Sequence, residues 1–331
     1  MKVTTRGLMS ILAGAALLAC TAAPLQAQGW PARPIRLIVP FGPGSGTDLV
    51  ARIVADELST VLGKPVVIEN IGGAGGTIGV SRAARAAPDG YTMVIGAVDT
   101  FAQSQYLFQS PPFNAIEDFE PIALAVEQPL VVVARKNLPV RNLREFADYA
   151  RQRPGQLSFG SAGIGAAPYL ACAMLNSVIG IRDVVHVPYR AAAPALQDMI
   201  MDRLDYYCPL GISAATLIQD GSIKALAILT AQPSPLFPDL ATAREQGIDV
   251  TDGYYWNAFF MPKGTPEPIL AKMGEAIRTA LDRPALAARL RTAAGTAVAP
   301  NRRSRAYLTE YLQSEITKWT GIMQAAEVPR Q

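Results

Sequence analysis

Val39-Pro40-Phe41-Gly42-Pro43-Gly44-Ser45-Gly46-Thr47-Asp48 is the stretch whose reading decides the architecture. An apolar run, Ile35 to Val39, leads into it. Apolar residues at helical spacing follow it: Leu49, Val50, Ile53, Val54, Leu58, Val61 and Leu62. Gly63 is placed to end that helix. The order is strand, tight loop, helix N-terminus. Such a terminus presents unpaired backbone N–H groups and the positive end of the helix dipole, which suits a carboxylate or a phosphate. The glycines let backbone approach a ligand closely, and Ser45 and Thr47 add hydroxyl groups. The spacing alone is equally compatible with a βα turn that only connects two elements. Nucleotide signatures are excluded. No Lys follows the last Gly, and Thr47 and Leu49 stand where the third Gly of G-x-G-x-x-G would fall. G-x-S-x-G fails because Pro43 stands where Gly is needed.

The same device recurs along the chain. Pro65 to Glu69 is a short strand, and Gly72-Gly73-Ala74-Gly75-Gly76-Thr77 opens a helix of small residues through Ala87. Tyr91 to Gly96 is a buried strand, followed by a junction at Gly96-Ala97-Val98-Asp99-Thr100. Asp118 to Pro121 leads to further elements: a strand Leu130 to Ala134, an amphipathic helix Asn142 to Gln152, and a strand Leu157 to Gly160. Ser161-Ala162-Gly163-Ile164-Gly165 then opens a helix through Ile179. Val184 to Val187, Ala193 to Met201, Leu204 to Tyr207 and Lys224 to Leu229 continue the alternation. Tyr254 to Met261 is extended and aromatic. Three helical segments close the chain: Pro266–Leu281, Pro284–Ala294 and Arg303 to about Ala326. Two α/β units, each with a Gly/Ser loop at a helix N-terminus, imply two lobes facing one cleft.

Residues 1–27 read as a cleaved export signal: Lys2 and Arg6, an apolar core from Leu8 to Ala19, and Leu25-Gln26-Ala27 as cleavage site. Lipoprotein processing before Cys20 is a weaker alternative, because Leu18 spoils the lipobox. Without Lys2 and Arg6, the 30 basic residues become 28 against 27 acidic ones. That balance argues against a nucleic-acid partner. Cys172 and Cys208 either pair in an oxidising compartment or stand as two small buried apolar residues; the second reading is preferred. Two Cys and one His make no ordinary zinc site.

Several stretches resemble one family. They are Pro34 to Phe41 with Gly44 to Asp48 and Ala51-Arg52; Leu62 to Asn70; Gly73 to Gly76; Ala87 to Thr92; Asp118 to Ile122; His186-Val187-Pro188-Tyr189; Ala225-Leu226-Ala227; Glu245-Gln246-Gly247; and Pro262 to Pro266. In this order they resemble the tripartite tricarboxylate transporter receptors, the Bug-type solute-binding proteins. The resemblance implies an α/β, two-lobed periplasmic binding protein fold (type II-like), each lobe a mixed sheet flanked by helices, with the ligand cleft between lobes. The implied boundaries are 28–126 with 251–331 for one lobe and 127–250 for the other. It implies hinge closure on a small carboxylate-bearing solute, delivery to an integral-membrane permease, a monomer, and no cofactor.

By the same resemblance, the carboxylate loops fall on Gly44, Ser45, Gly46, Thr47 and Asp48, and on Ser161, Ala162, Gly163 and Gly165. Phe41, Ala97, Asp99, Thr100, Tyr189 and Arg190 complete the expected site, Arg190 through its bidentate guanidinium. The chain departs from the family pattern at Ala166, where a Ser is usual, at Pro168-Tyr169, where a His is usual, and at Asp99, where small hydroxyl residues are common. These departures, with apolar walls expected from Tyr169, Tyr254 and Trp256, point to a monocarboxylate; the alternative is that Asp99 only caps the next helix and points away. The rivals are a periplasmic sensor and a hydrolase or transferase on a Rossmann-like sheet. The enzyme reading lacks a nucleophile–base pair: His186 is the only His and lies in a β-branched strand.

Overall fold

The central strands form because their side chains are apolar on both faces. In the computed structural model, which describes residues 29–163, 165–230, 233–234, 236–250, 254–292, 295–325, 328 and 330, β1 (Ile35–Val39) is buried apart from Arg36. β3 (Thr92–Ala97) is buried throughout, as expected of strands covered on both sides. Between them run α1 (Gly46–Leu62), β2 (Val66–Asn70) and α2 (Thr77–Ala84). Ser45 caps α1, Gly63 ends it at φ 63°, and Val50, Ala51, Val54, Ala55 and Leu58 form its buried stripe. After β3 comes a π-helical turn, Val98–Gln103, and the short α3 (Ser104–Leu107). The expected export signal, and its alternative at Cys20, lie outside the described residues.

β4 (Phe119–Pro129) runs on, with Leu130 between, into β5 (Val131–Arg135). The second set of elements follows: α4 (Leu143–Arg151), β6 (Ser158–Ser161), α5 (Ala167–Val178), β7 (Val185–Pro188), α6 (Ala192–Ile200), β8 (Tyr206–Tyr207), α7 (Gly211–Gln219) and β9 (Ile223–Ile228). The chain then rejoins the first set through β10 (Tyr254–Pro262), α8 (Glu267–Leu281), α9 (Pro284–Thr292), β11 (Thr296–Ala297) and α10 (Arg305–Ala325). One sheet has the order β11-β4-β10-β3-β1-β2 and the other β7-β6-β8-β5-β9. Both are mixed: β1 is parallel to β2 and β3 while β10 is antiparallel to β3 and β4, and β6 is parallel to β7 and β8 while β5 is antiparallel to β8 and β9. Tyr254 pairs with Pro129, so the strands leading out to the second sheet and back lie side by side.

Three features differ from the sequence reading. β4 is an 11-residue strand where only a lead-in was expected; Pro121 and Pro129 read as strand breakers, yet β4 and β10 pair through two register shifts. Arg302, Arg303 and Arg305 read in the sequence as a helix start with a solvated face, which they do not form. Arg302 holds Glu127 of β4 at 2.6 Å, while buried Arg303 holds Asp282 and Arg305 holds Glu267, both at 2.6 Å, so they tie the start of the last helix to the first sheet and to the two ends of α8. Cys172 on α5 and Cys208 after β8 are not separate thiols: they form a fully buried disulfide with Cα atoms 5.6 Å apart. It ties α5 to the middle of the second sheet.

That crosslink closes a loop of 36 residues, for which chain entropy gives about 3–4 kcal/mol. The double variant Cys172→Ala/Cys208→Ala is therefore expected to unfold at clearly lower urea concentration than the oxidised chain. Coincident unfolding curves would show that the bridge contributes no stability.

Candidate ligand site

The N-terminus of α1 is built by Asp48 rather than lined by it. The Asp48 carboxylate accepts Gly44 N (2.9 Å), both Arg52 nitrogens (2.9 and 3.0 Å) and Asn70 Nδ2 (2.8 Å). Burial pushes its pKa up, but these hydrogen bonds outweigh burial and hold it below the ordinary carboxylate value. Ser45 Oγ accepts Asp48 N at 3.2 Å. The N–H groups of Gly46 and Thr47 have no partner among the described residues. Gly46 must be Gly, because a Cβ there would stand 2.5 Å from Leu210 Cδ1 and 2.9 Å from Ile212 Cγ2 of the second sheet.

Across the gap, Ser161 is buried and occupied. Its Oγ accepts Gly163 N at 3.0 Å and lies 2.6 Å from His186 Nε2. Burial lowers the His186 pKa, so the ring is neutral at pH 7. It packs against Phe159 and Tyr169, and its contact with Ser161 is a Ser–His pair that the sequence reading did not expect. Gly163 and Gly165 take φ of 107° and 88°, which carries the loop round into α5. That helix has Ala166 at its N-cap, with no side-chain oxygen of its own to satisfy the first turn.

Asp99 supplies that oxygen from the other lobe. Its Oδ2 accepts Ala167 N at 3.1 Å and its Oδ1 accepts Thr100 N at 2.8 Å. Tyr255 Oη donates to the same carboxylate at 3.1 and 3.3 Å and lies 3.0 Å from Thr47 Oγ1. Asp99 is 1% exposed. Burial pushes its pKa up to about 7, against the N–H groups of Ala167 and Thr100 and the Tyr255 hydroxyl. Thr100 itself turns away: its Oγ1 accepts Ala97 N at 2.9 Å.

These elements enclose a cavity of about 20 Å³, room for about one water. Of the expected residues, Phe41, Ser45, Gly46, Thr47, Asp99 and Ala162 line it. Gly44, Asp48, Ala97, Thr100, Ser161, Gly163 and Gly165 are not among its lining residues. Tyr189 donates to Asp198 at 2.8 Å and Arg190 is exposed, so neither reaches the cavity. The aromatic wall is Phe41, Tyr207 and Tyr255, not Tyr169, Tyr254 or Trp256; Trp256 Nε1 instead donates to Glu315 at 2.9 Å. Strand parity was the available signal, since Tyr255 necessarily faces opposite to its neighbours. Leu210 and Ser213 also line the cavity and lie in a stretch with no sequence signal. Tyr207 Oη and Ser213 Oγ are buried without a partner among the described residues. None of the described lining residues is Lys, Arg or His, and no group of three or more described His, Cys, Asp or Glu could hold a metal ion. No described helix is long and apolar enough to cross a membrane.

Two mixed sheets, joined by paired strands and enclosing a cavity between helix N-termini, define a two-lobed solute-binding protein. Residues 50–328 match the tripartite tricarboxylate transporter family receptor model, and the chain belongs to that family of non-enzymatic receptors. It is 36% identical over 310 residues to a UPF0065 protein of Bordetella pertussis, covering 94% of each chain. Its fold is similar to that of the periplasmic binding protein BugD (TM-score 0.87, 33% identity, 91% of this chain and 100% of that one). It is similar also to MatC from Rhodopseudomonas palustris with bound malate (TM-score 0.85, 36% identity, 88% and 99%). The α/β two-lobed architecture expected from the sequence is thus the observed one.

The raised Asp99 pKa makes stability depend on pH with a definite sign. Between the ordinary Asp value and about 7, the folded chain holds a proton that the unfolded chain has lost. Stability from this group is therefore full at low pH, declines as pH rises to about 7, and is level above. His186, with its pKa lowered by burial, acts oppositely, losing stability as pH falls below its ordinary value. The difference between Asp99→Asn and wild type isolates Asp99: the melting temperature of the variant should gain on wild type from pH 4.5 to 7.5. A difference independent of pH would show that the carboxyl titrates normally.

Proposed function

We propose that this chain is an exported receptor that captures a small organic carboxylate by hinge closure and hands it to an integral-membrane permease of the tripartite tricarboxylate type, acting as a monomer. The lobes are assigned to residues 28–126 with 251–331, and to 127–250. The observation that carries this reading is the pair of unpartnered N–H groups at Gly46 and Thr47, opening from a helix N-terminus onto an enclosed cavity. A carboxylate satisfies both donors and the dipole behind them. The buried hydroxyls of Tyr207 and Ser213 offer it further donors. The malate held by MatC supports a carboxylate as the class of solute.

A cavity with room for about one water is smaller than any organic carboxylate, so on this reading the lobes part to admit the solute. Closure then follows from contacts made to both lobes at once. A panel of mono- and dicarboxylates should include at least one that raises the melting temperature, because binding to the native state alone stabilises it. Gly46→Ala places a methyl against Leu210 and Ile212 only when the lobes are closed. It is expected to weaken that solute about tenfold by calorimetry while leaving the unliganded melting temperature within a few degrees. A panel without any response would overturn the receptor reading; unchanged affinity in Gly46→Ala would remove the α1 terminus from the site.

A further inference from the structure

The first turn of α5 has no donor left for a solute. Ala167 N is taken by Asp99 Oδ2, Pro168 has no N–H, and the N–H groups of Tyr169 and Leu170 are both bonded to Ala166 O, at 2.9 and 3.2 Å. The helix lacks a cap of its own because Ala166 carries no oxygen in its side chain. Asp99, 68 residues away on the first sheet, fills that place. A carboxylate on the N-terminus of a helix in the opposite lobe is what a bound solute anion would be. Here the chain provides it.

We propose that Asp99 is a tethered carboxylate that occupies the α5 terminus in place of a second solute carboxylate, and so restricts the receptor to solutes with a single carboxylate. The inference rests on the carboxylate-receptor reading above and narrows it. The donors that remain, the N–H groups of Gly46 and Thr47 and the hydroxyls of Tyr207 and Ser213, suffice for the two oxygens of one carboxylate. A second carboxylate would have to displace Asp99 from Ala167 N or lie beside it. In a water-poor cavity without a described cation in its wall, two anions a few Å apart repel strongly.

Protonation offers an independent readout. The titratable groups that face Asp99 are Tyr255 on β10 and Tyr207 on β8, and burial holds both phenols above their ordinary range. Neither changes charge between pH 5.5 and 8. His186 lies behind Ser161 and touches the loop rather than the carboxylate. Asp99, pushed up to about 7, becomes neutral at pH 5.5 and ceases to repel. A purely structural cap would give no coupling between pH and the number of carboxylates on the solute.

The test is calorimetry on the full mature chain with acids matched in pairs, each monocarboxylate carrying a methyl where its partner has a second carboxylate. The pairs are 3-hydroxybutyrate with malate, butyrate with succinate, and hexanoate with adipate. In pairs that bind, wild type at pH 8 is expected to favour the monocarboxylate at least tenfold. Asp99→Asn and Asp99→Ser are expected to shift the ratio of dicarboxylate to monocarboxylate affinity at least tenfold toward the dicarboxylate. The wild-type dicarboxylate affinity should rise on going to pH 5.5, and that of Asp99→Asn should gain less. Asp99→Asn keeps an oxygen for Ala167 N, so it carries the test if the Ser variant melts early. A wild type that prefers dicarboxylates, or folded variants with an unchanged preference, overturns the role of Asp99 and leaves the receptor reading standing. If no acid of any pair binds wild type or variant, the receptor reading itself fails and this inference with it.

Discussion

The hydrogen bond from Ala167 N to Asp99 joins two problems that neither lobe solves alone. α5 begins at an alanine, so its first N–H has no local acceptor. Asp99 sits in the π-helical turn after a fully buried strand, at a place where a carboxylate has little water. Brought together, each satisfies the other at 3.1 Å. Tyr255 and Thr47 extend the connection to the N-terminus of α1, so one run of polar atoms links both helix termini across the cleft. Buried polar atoms of this kind cost free energy unless nearly all are paired. In this arrangement of the two lobes, Asp99, Ala167, Tyr255 and Thr47 are paired.

The scaffold around that run is stiff where it has to be. Asp48, held by Arg52, Asn70 and Gly44, fixes the first loop without pointing into the cavity. Ser161 and His186 do the same for the second. The disulfide fixes α5 against the second sheet. Arg302, Arg303 and Arg305 fasten the C-terminal helices to the first. The paired strands β4 and β10 carry the chain between the two sheets, and their two register shifts lie inside the first sheet, where β10 also pairs with β3.

The sequence carried the architecture well because it rests on local signals. Strand, Gly-rich loop and helix repeat in both lobes, and caps such as Ser45 and Gly63 stand where the spacing puts them. It was poorer wherever tertiary pairing overrides a local rule. β4 contains two prolines yet runs 11 residues, because β10 accompanies it along its length. The short helix α7 begins at Gly211 and is set by packing against Phe237, a relation that local propensity does not record. Within the site, the loops were legible and the roles were not. Asp48 and Ser161 have the right chemistry for binding and spend it on their own loops. Asp99 was readable as a carboxylate near the cleft, but its partner, Ala167, is identified by a backbone N–H that every non-proline residue has. Tyr207 and Tyr255 were hidden by the parity of their strands, where neighbouring tyrosines and a tryptophan competed for the same reading.

The free donors at Gly46 and Thr47 belong to the main chain, and this has an evolutionary corollary. A point substitution cannot delete a backbone amide unless it introduces proline, and the first turn of a helix is where proline fits with least disturbance. Under the proposed function, the grip on an anion is inherited with the fold and lost only to proline, while Asp99, Tyr207, Leu210 and Ser213 around it remain open to change. A lineage built this way can diversify in what it carries without ever rebuilding how it holds.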